Sequence, residues 1–192
     1  MRGFGRKREV RGLEVRGQRL KPKGYGAGCS LEICTSAVLP LTSDLFLMLK
    51  ISQTEYDLLR RHGEETYPDE CCGVLLGHFD DGGRKTVTRT ARCGNVWLDS
   101  LHNRYSIDPK ELIRIQREGR ERGEEIVGFY HSHPNHPARW SETDLAEAHW
   151  IGCSYVITGV ENGRAAATNS FELSGVDEAE KRFVDEVVEV GG

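Results

Sequence analysis

His131 and His133 stand two residues apart at the end of an apolar, β-prone run, residues 126–130. In an extended backbone, side chains at i and i+2 share a face, so one strand end can present two imidazole nitrogens to a single cation. Pro134 stops the strand and turns the chain, which lets a carboxylate farther along fold back toward the histidines. Asp144, in Ser141-Glu142-Thr143-Asp144, is that carboxylate. Each piece also has an ordinary reading: hydrogen-bonded histidines at a strand end, and an S-x-x-D helix start with Ser141 as N-cap. Singly, the ordinary readings win. Together, two histidines, a carboxylate and an open fourth position make the nitrogen and oxygen ligand set of a catalytic rather than a structural zinc site.

The spacing His131-x-His133, seven residues, Ser141-x-x-Asp144 resembles the JAMM motif of the MPN+ metallopeptidases, H-x-H-x(7)-S-x-x-D with a glutamate upstream. Every defined position matches, a far more specific signal than an isolated H-x-H. The likeness extends from about Met48 to about Leu173. Upstream, Glu70-Cys71-Cys72-Gly73-Val74-Leu75-Leu76-Gly77 is similar to the family's E-x-x-G-x-L-x-G, and Glu70 takes the place of the catalytic glutamate. Without the family, Glu70 reads as a solvated loop acid; its neighbour Asp69 should point the opposite way once the strand has begun. The resemblance implies one Zn²⁺ per chain held by His131, His133 and Asp144, water activated there, and Glu70 as general base. It further implies that Ser141 is no nucleophile but hydrogen-bonds the developing oxyanion.

An opening strand at residues 48–51 leads into a helix start, Ser52-x-x-Glu55. The helix runs to about Thr66 with Tyr56, Leu59 and Gly63 on one face, and Pro68 ends it. Residues 74–79 and 85–91 form a hairpin around Asp80-Asp81-Gly82-Gly83. Residues 95–105 are irregular and carry Trp97 and His102. Asp108-Pro109-Lys110-Glu111 begins a second helix, which reaches about Arg122 and ends at Gly123. After the metal motif come a helix from Ser141 to about Trp150, strands at 154–160 and 165–173 around Glu161-Asn162-Gly163, and an amphipathic helix over 176–190. Interleaved strands and helices indicate a mixed sheet with helices packed on it. The resemblance sharpens this to a cytidine-deaminase-like α/β fold with the zinc at one sheet edge.

A chain of 192 residues holds one ordinary domain with some to spare. Residues 1–47 carry nine Lys or Arg against four acids, and residues 48–192 seventeen against twenty-six, formal charges of +5 and −9. The acidic body gives no electrostatic reason to expect nucleic acid, and no apolar run approaches the ~20 residues of a membrane span. Residues 1–47, basic, glycine-rich and aperiodic, read as a disordered extension or a mis-assigned start, with translation beginning at Met48 and residues 48–192 forming the metallopeptidase domain. Six cysteines, Cys29, Cys34, Cys71, Cys72, Cys93 and Cys153, make no C-x-x-C pair and read as reduced cytoplasmic thiols. Cys71 and Cys72 follow Glu70 and read as small buried hydrophobes. His136, bracketed by Pro134 and Pro137, has a small claim on substrate or a second metal; His62, His78, His102 and His149 have none.

The family cleaves peptide or isopeptide bonds after the terminal Gly-Gly of ubiquitin-like proteins, and its small single-domain prokaryotic members, the Mec-like hydrolases, act on sulfur-carrier proteins. This chain lacks a second domain and large insertions around its motif, so a ubiquitin-like or sulfur-carrier C-terminus is the expected partner. A glycine-ended tail suits edge-strand pairing beside a narrow approach to zinc. Two other classes stay open: a non-catalytic MPN scaffold, which the complete set of Glu70, His131, His133, Ser141 and Asp144 disfavours, and a RadC-type repair-associated protein, which the acidic body disfavours. The closing Gly191-Gly192 resembles such a substrate's own ending and could enter a cleft, although a frayed end is the simpler expectation.

Overall fold

A computed structural model describes residues 47–97 and 104–191. The expectations for the basic extension, Cys29, Cys34, His102 and Gly192 lie outside the described residues. Seven strands and three helices succeed one another in the order β1 (Met48–Ser52), α1 (Gln53–Thr66), β2 (Cys72–Phe79), β3 (Lys85–Cys93), α2 (Pro109–Glu121), β4 (Glu125–Pro134), α3 (Glu142–Glu147), β5 (Ser154–Glu161), β6 (Arg164–Ser174) and β7 (Arg182–Gly191). The strands form one mixed sheet, β1-β3-β2-β4-β5-β6-β7, that closes on itself because β1 pairs in parallel with both β3 and β7.

The middle of the sheet, β2-β4-β5, is apolar on both faces because helices cover both. Val74, Leu76, Phe129 and Tyr155 join a core with Ile115 of α2, whereas Leu75, Val127, Tyr130 and Val156 join a second core with Leu59 of α1. Alternation along β2 and β5 thus splits one apolar run between two cores, and in β4 the register irregularity at Val127 resets the alternation, so that Ile126 and Phe129 face one core and Val127 and Tyr130 the other. Gly73 permits the tight fit of β2 on β4: a Cβ there would lie 2.2 Å from the Tyr130 ring and 2.4 Å from the Ala91 carbonyl oxygen.

Local chemistry sets the helix starts. The Ser52 side chain accepts from Glu55 N–H, but Glu55 does not close the capping box; its carboxylate instead accepts from Thr90 N–H at 2.6 Å and ties α1 to β3. Asp108 caps α2 by accepting from Lys110 N–H at 2.8 Å, with Pro109 behind it.

Four expectations change. The closing segment is not an amphipathic helix but β7, paired antiparallel with β6 and parallel with β1. Val184, Val187, Val188 and Val190 are β-branched and lose side-chain freedom in a helix, and two neighbouring strands supply the ladder that the local pattern could not reveal. The helix expected over 141–150 stops at Glu147; Ala148 is buried and Trp150 turns back to pack edge-on against Phe129. The metal motif is at no edge, since β4 lies between β2 and β5. Gly191 lies in β7 opposite Ser52, neither frayed nor free to enter a cleft. Lys85 is wholly buried beside β6 and β7, ion-paired with Glu172 and, at 2.9 Å, with Glu186, which also accepts from Ser170 Oγ at 2.5 Å.

Candidate metal and catalytic site

His131 and His133 point from one face of the final residues of β4, with their Nε2 atoms 2.9 Å apart. Ser132 between them faces the other way, where its hydroxyl accepts from Cys71 N–H at 3.0 Å. Pro134 is the final strand residue, and Asn135 at φ 55° begins the turn. The chain returns at α3, placing Asp144 Oδ1 3.3 Å from His131 Nε2 and Oδ2 3.6 Å from His133 Nε2. The three potential ligand atoms lie within 4.8 Å of one another, the one such His, Cys or carboxylate group among the described residues.

Asp144 has two roles at once. Its Oδ2 accepts from Ser141 N–H at 2.6 Å and from Ser141 Oγ at 2.7 Å, while its own N–H donates to Ser141 Oγ at 3.1 Å. The capping box read from the sequence is therefore real, and it fixes the carboxylate facing the histidines. The Ser141 hydroxyl proton is engaged by Asp144 in this arrangement.

The donor set suits zinc. A carbonyl oxygen can only accept, so the 3.1 Å contact between His133 Nδ1 and the Pro137 carbonyl places a proton on Nδ1 and leaves the Nε2 lone pair free for a metal. Burial lowers the His131 pKa despite the opposing pull of Asp144, which favours the neutral ring that metal ligation requires. Burial also presses His133 down, but Asp144 and then Glu70 outweigh it and the net shift is upward. For Asp144 burial pushes up, yet hydrogen bonds from His131, His133 and Ser141 hold the carboxyl well below its usual range.

Glu70 reaches this cluster through strand register. Cys72 pairs with His131 and Gly73 with Tyr130, so the same antiparallel register continued backward sets Glu70 opposite His133. Both line a cleft of about 330 Å³ with His136, Pro137, Arg139 and Ser141. Glu70 is not the solvated loop acid of the family-free reading: it is 5% exposed, and burial raises its carboxyl to about 7, with His133 opposing and Asp144 and Glu147 reinforcing the rise.

The remaining histidines and cysteines fall largely outside the cluster. His136 lines the cleft but is not grouped with His131, His133 and Asp144. His62 meets the Tyr130 hydroxyl at 2.9 Å, and His149 pairs with Glu178 at 3.0 Å. Cys71, Cys72, Cys93 and Cys153 are free and buried, and burial pushes the Cys71 thiol up to about 11. Sequence reasoning missed Tyr105, whose ring stacks on His131 with centroids 4.5 Å apart, and Glu147 at the end of α3. An aromatic residue in the irregular stretch beside Trp97 was the available signal for the first; nothing local marked the second.

A mixed sheet between helices, with two histidines and an aspartate converging at the end of an interior strand, defines the JAB/MPN class of fold and site. The chain belongs to the prokaryotic homologs of the JAB domain, whose family model matches residues 52–173. It is 38% identical over 100 residues to the desampylase of Haloferax volcanii, covering 52% of this chain and 68% of that protein. It is 36% identical over 119 residues to a probable TtuB-protein conjugate cleaving protease of Thermus thermophilus, covering 62% and 75%. Solution structures of a Desulfitobacterium hafniense protein (25% identity, TM-score 0.62, 74% of this chain and 94% of that one) and a Salinibacter ruber protein (36%, 0.56, 73% and 91%) share the fold. Among the described residues, no helix is long and apolar enough to cross a membrane.

Proposed function

We propose that this protein is a zinc-dependent hydrolase that cleaves a peptide or isopeptide bond after the C-terminal Gly-Gly of a ubiquitin-like or sulfur-carrier protein. The observation that carries this reading is the convergence of His131, His133 and Asp144 beside the buried Glu70. The names of the relatives, a desampylase and a probable TtuB-protein conjugate cleaving protease, support the substrate class.

In this reading His131, His133 and Asp144 hold one Zn²⁺. When bound, the ion supplies Lewis acidity toward water and toward a carbonyl oxygen. Glu70 takes the proton lost by the attacking water on its carboxylate and returns it to the leaving nitrogen; a carboxyl raised to about 7 is matched to both transfers near neutral pH. The Pro137 carbonyl keeps His133 in the tautomer that offers Nε2. Ser141 fixes Asp144 through the capping box, and its hydroxyl serves the developing oxyanion after exchanging its bond to Asp144.

The test is hydrolysis of a ubiquitin-like protein joined through its Gly-Gly end to an amine, measured by mass spectrometry with metal content measured in parallel. One zinc per chain and cleavage immediately after the second glycine are expected. A protein that binds no zinc, or that holds zinc and leaves every such conjugate intact, overturns the reading.

A further inference from the structure

Strand register gives Glu70 a neighbour on either side. Pairing of β2 with β4 sets it opposite His133, and pairing of β2 with β3, Cys72 opposite Cys93, continued backward sets it opposite Asn95. Asn95 lies in the segment between β3 and α2, where it forms an antiparallel bridge with Ile107 while Val96 N–H donates to the Ser106 carbonyl at 3.0 Å. Its side-chain Oδ1 accepts from Trp97 N–H and from Ser106 N–H, each at 3.1 Å. Its Nδ2 donates to the Arg104 carbonyl at 2.9 Å and to the Glu70 carbonyl at 3.3 Å. These bonds fill both acceptor and both donor places of the amide. They also fix which way it faces, because a flipped amide would set its NH₂ against two N–H groups and its oxygen against two carbonyls.

Two of the bonds bracket a single residue. The Arg104 carbonyl and the Ser106 N–H belong to the two peptide groups of Tyr105, so Asn95 grips the backbone on both sides of the ring that stacks on His131. The two rings lie with centroids 4.5 Å apart and planes 26° apart. His133 is oriented by the Pro137 carbonyl at its Nδ1, whereas His131 has an aromatic face against its ring. A stacked neighbour leaves the imidazole plane little freedom to turn, and that plane decides where Nε2 points. One amide is thus bonded both to the backbone of the proposed base and to the backbone that presents Tyr105 to a proposed metal ligand.

We propose, resting on the hydrolase function proposed for this site, that Asn95 is a positioning residue that holds Glu70 and, through Tyr105, His131 in mutual register. It touches neither substrate nor metal. Glu70 precedes the first residue of β2 by two, so the Asn95 bond anchors its carbonyl from outside the strand. A general base works only within hydrogen-bond reach of the proton it takes, and the ligand rings determine where that proton lies. An error in the relative placement of Glu70 and His131 therefore lowers the rate of the chemical step rather than the affinity for substrate.

The experiment compares three substitutions in the full chain. Asn95→Asp keeps the shape and both accepting bonds but sets an oxygen, in place of the donor, against the Glu70 and Arg104 carbonyls. Tyr105→Leu removes the stacked ring and Tyr105→Phe retains it. The readouts are kcat and KM of the zinc-loaded protein for a Gly-Gly conjugate, and the visible spectrum of the Co²⁺-loaded protein, which reports the arrangement of ligands around the ion. Asn95→Asp should lower kcat about ten- to hundredfold with KM unchanged, and should shift the Co²⁺ spectrum. Tyr105→Leu should shift the spectrum as well, and Tyr105→Phe should recover it. The double variant Asn95→Asp/Tyr105→Leu should show the spectrum of Tyr105→Leu alone, since both changes reach His131 through one ring. A lowered Tm with kcat per bound zinc and the spectrum unaltered would make Asn95 a fastener of the chain only and overturn the proposal. So would a wild-type spectrum in Tyr105→Leu, which decides the matter even where Asn95→Asp does not fold. A wild-type protein that holds zinc and cleaves no such conjugate overturns the hydrolase reading, while the Co²⁺ spectra still decide the placement of His131.

Discussion

Replacing Glu70 by glutamine should raise stability while removing activity. The rise of the carboxyl from its ordinary 4.5 to about 7 is caused chiefly by burial and corresponds to about 3 kcal/mol against the ionised form. A raised carboxyl means that the folded chain holds its proton more tightly than the unfolded chain does. The associated stability is therefore whole below about pH 4.5, is lost as pH rises from about 4.5 to 7, and is absent at pH 8. Glutamine has nearly the same shape and no charge. In metal-stripped protein at pH 8, Glu70→Gln should be more stable than wild type by about 3 kcal/mol, a Tm higher by about 6–12 °C, and the difference should vanish near pH 4. Bound zinc should shrink the difference, because a nearby cation favours the ionised carboxylate. Thermal unfolding of both proteins across this pH range measures the effect, and zinc-loaded kcat should fall ~10²–10⁴-fold with metal content retained. Stability profiles that run parallel from pH 4 to 8 would refute the buried-base argument, and an unaltered kcat would assign the proton to another group.

His133→Ala should lose most of the bound zinc, because three protein ligands become two; metal analysis after gel filtration checks this, and full retention sinks the ligand assignment. Lys85→Ala should cost about 3–5 kcal/mol in urea unfolding, since it leaves the buried Glu186 and the partly buried Glu172 without their cation; a loss below about 1 kcal/mol would mean that the pair is dispensable. Gly73→Ala should cost at least about 3 kcal/mol, because the new methyl meets the Ala91 carbonyl as well as the Tyr130 ring, and a wild-type Tm would contradict the close packing of β2 on β4. Removing residues 191 and 192 should leave KM for a diglycine-ended substrate unchanged, since Gly191 is held against Ser52; a lower KM would place the tail in the cleft after all.

The features legible in the sequence were those that depend on neighbours along the chain. The i, i+2 histidines needed only an extended backbone, and the capping box of Ser141 and Asp144 needed only four consecutive residues. Glu70 was legible solely through the family pattern: its burial follows from pairing of β2 with β4, some sixty residues apart. The last strand was misread because its valines satisfy either period, and the choice is made by β1, which closes the sheet. Tyr105 and Glu147 belong to the site through a ring stack and through space, neither of which leaves a local signature.

The capping box gives the site a dependence that a bare ligand count would miss. Asp144 is aimed by the start of α3, and α3 is only six residues long, with no buried residue of its own. A helix this short has little intrinsic stability and relies on its cap and on the packing of the residues at its C-terminal end. Those residues are Ala148, buried, and Trp150, packed on Phe129 of the very strand that carries the histidines. The Trp150 ring on Phe129 is thus the anchor that returns α3 to β4, and Trp150→Ala should loosen the capping box and with it the aim of Asp144, a loss of zinc affinity measurable by metal titration; unchanged affinity would separate the cap from that packing.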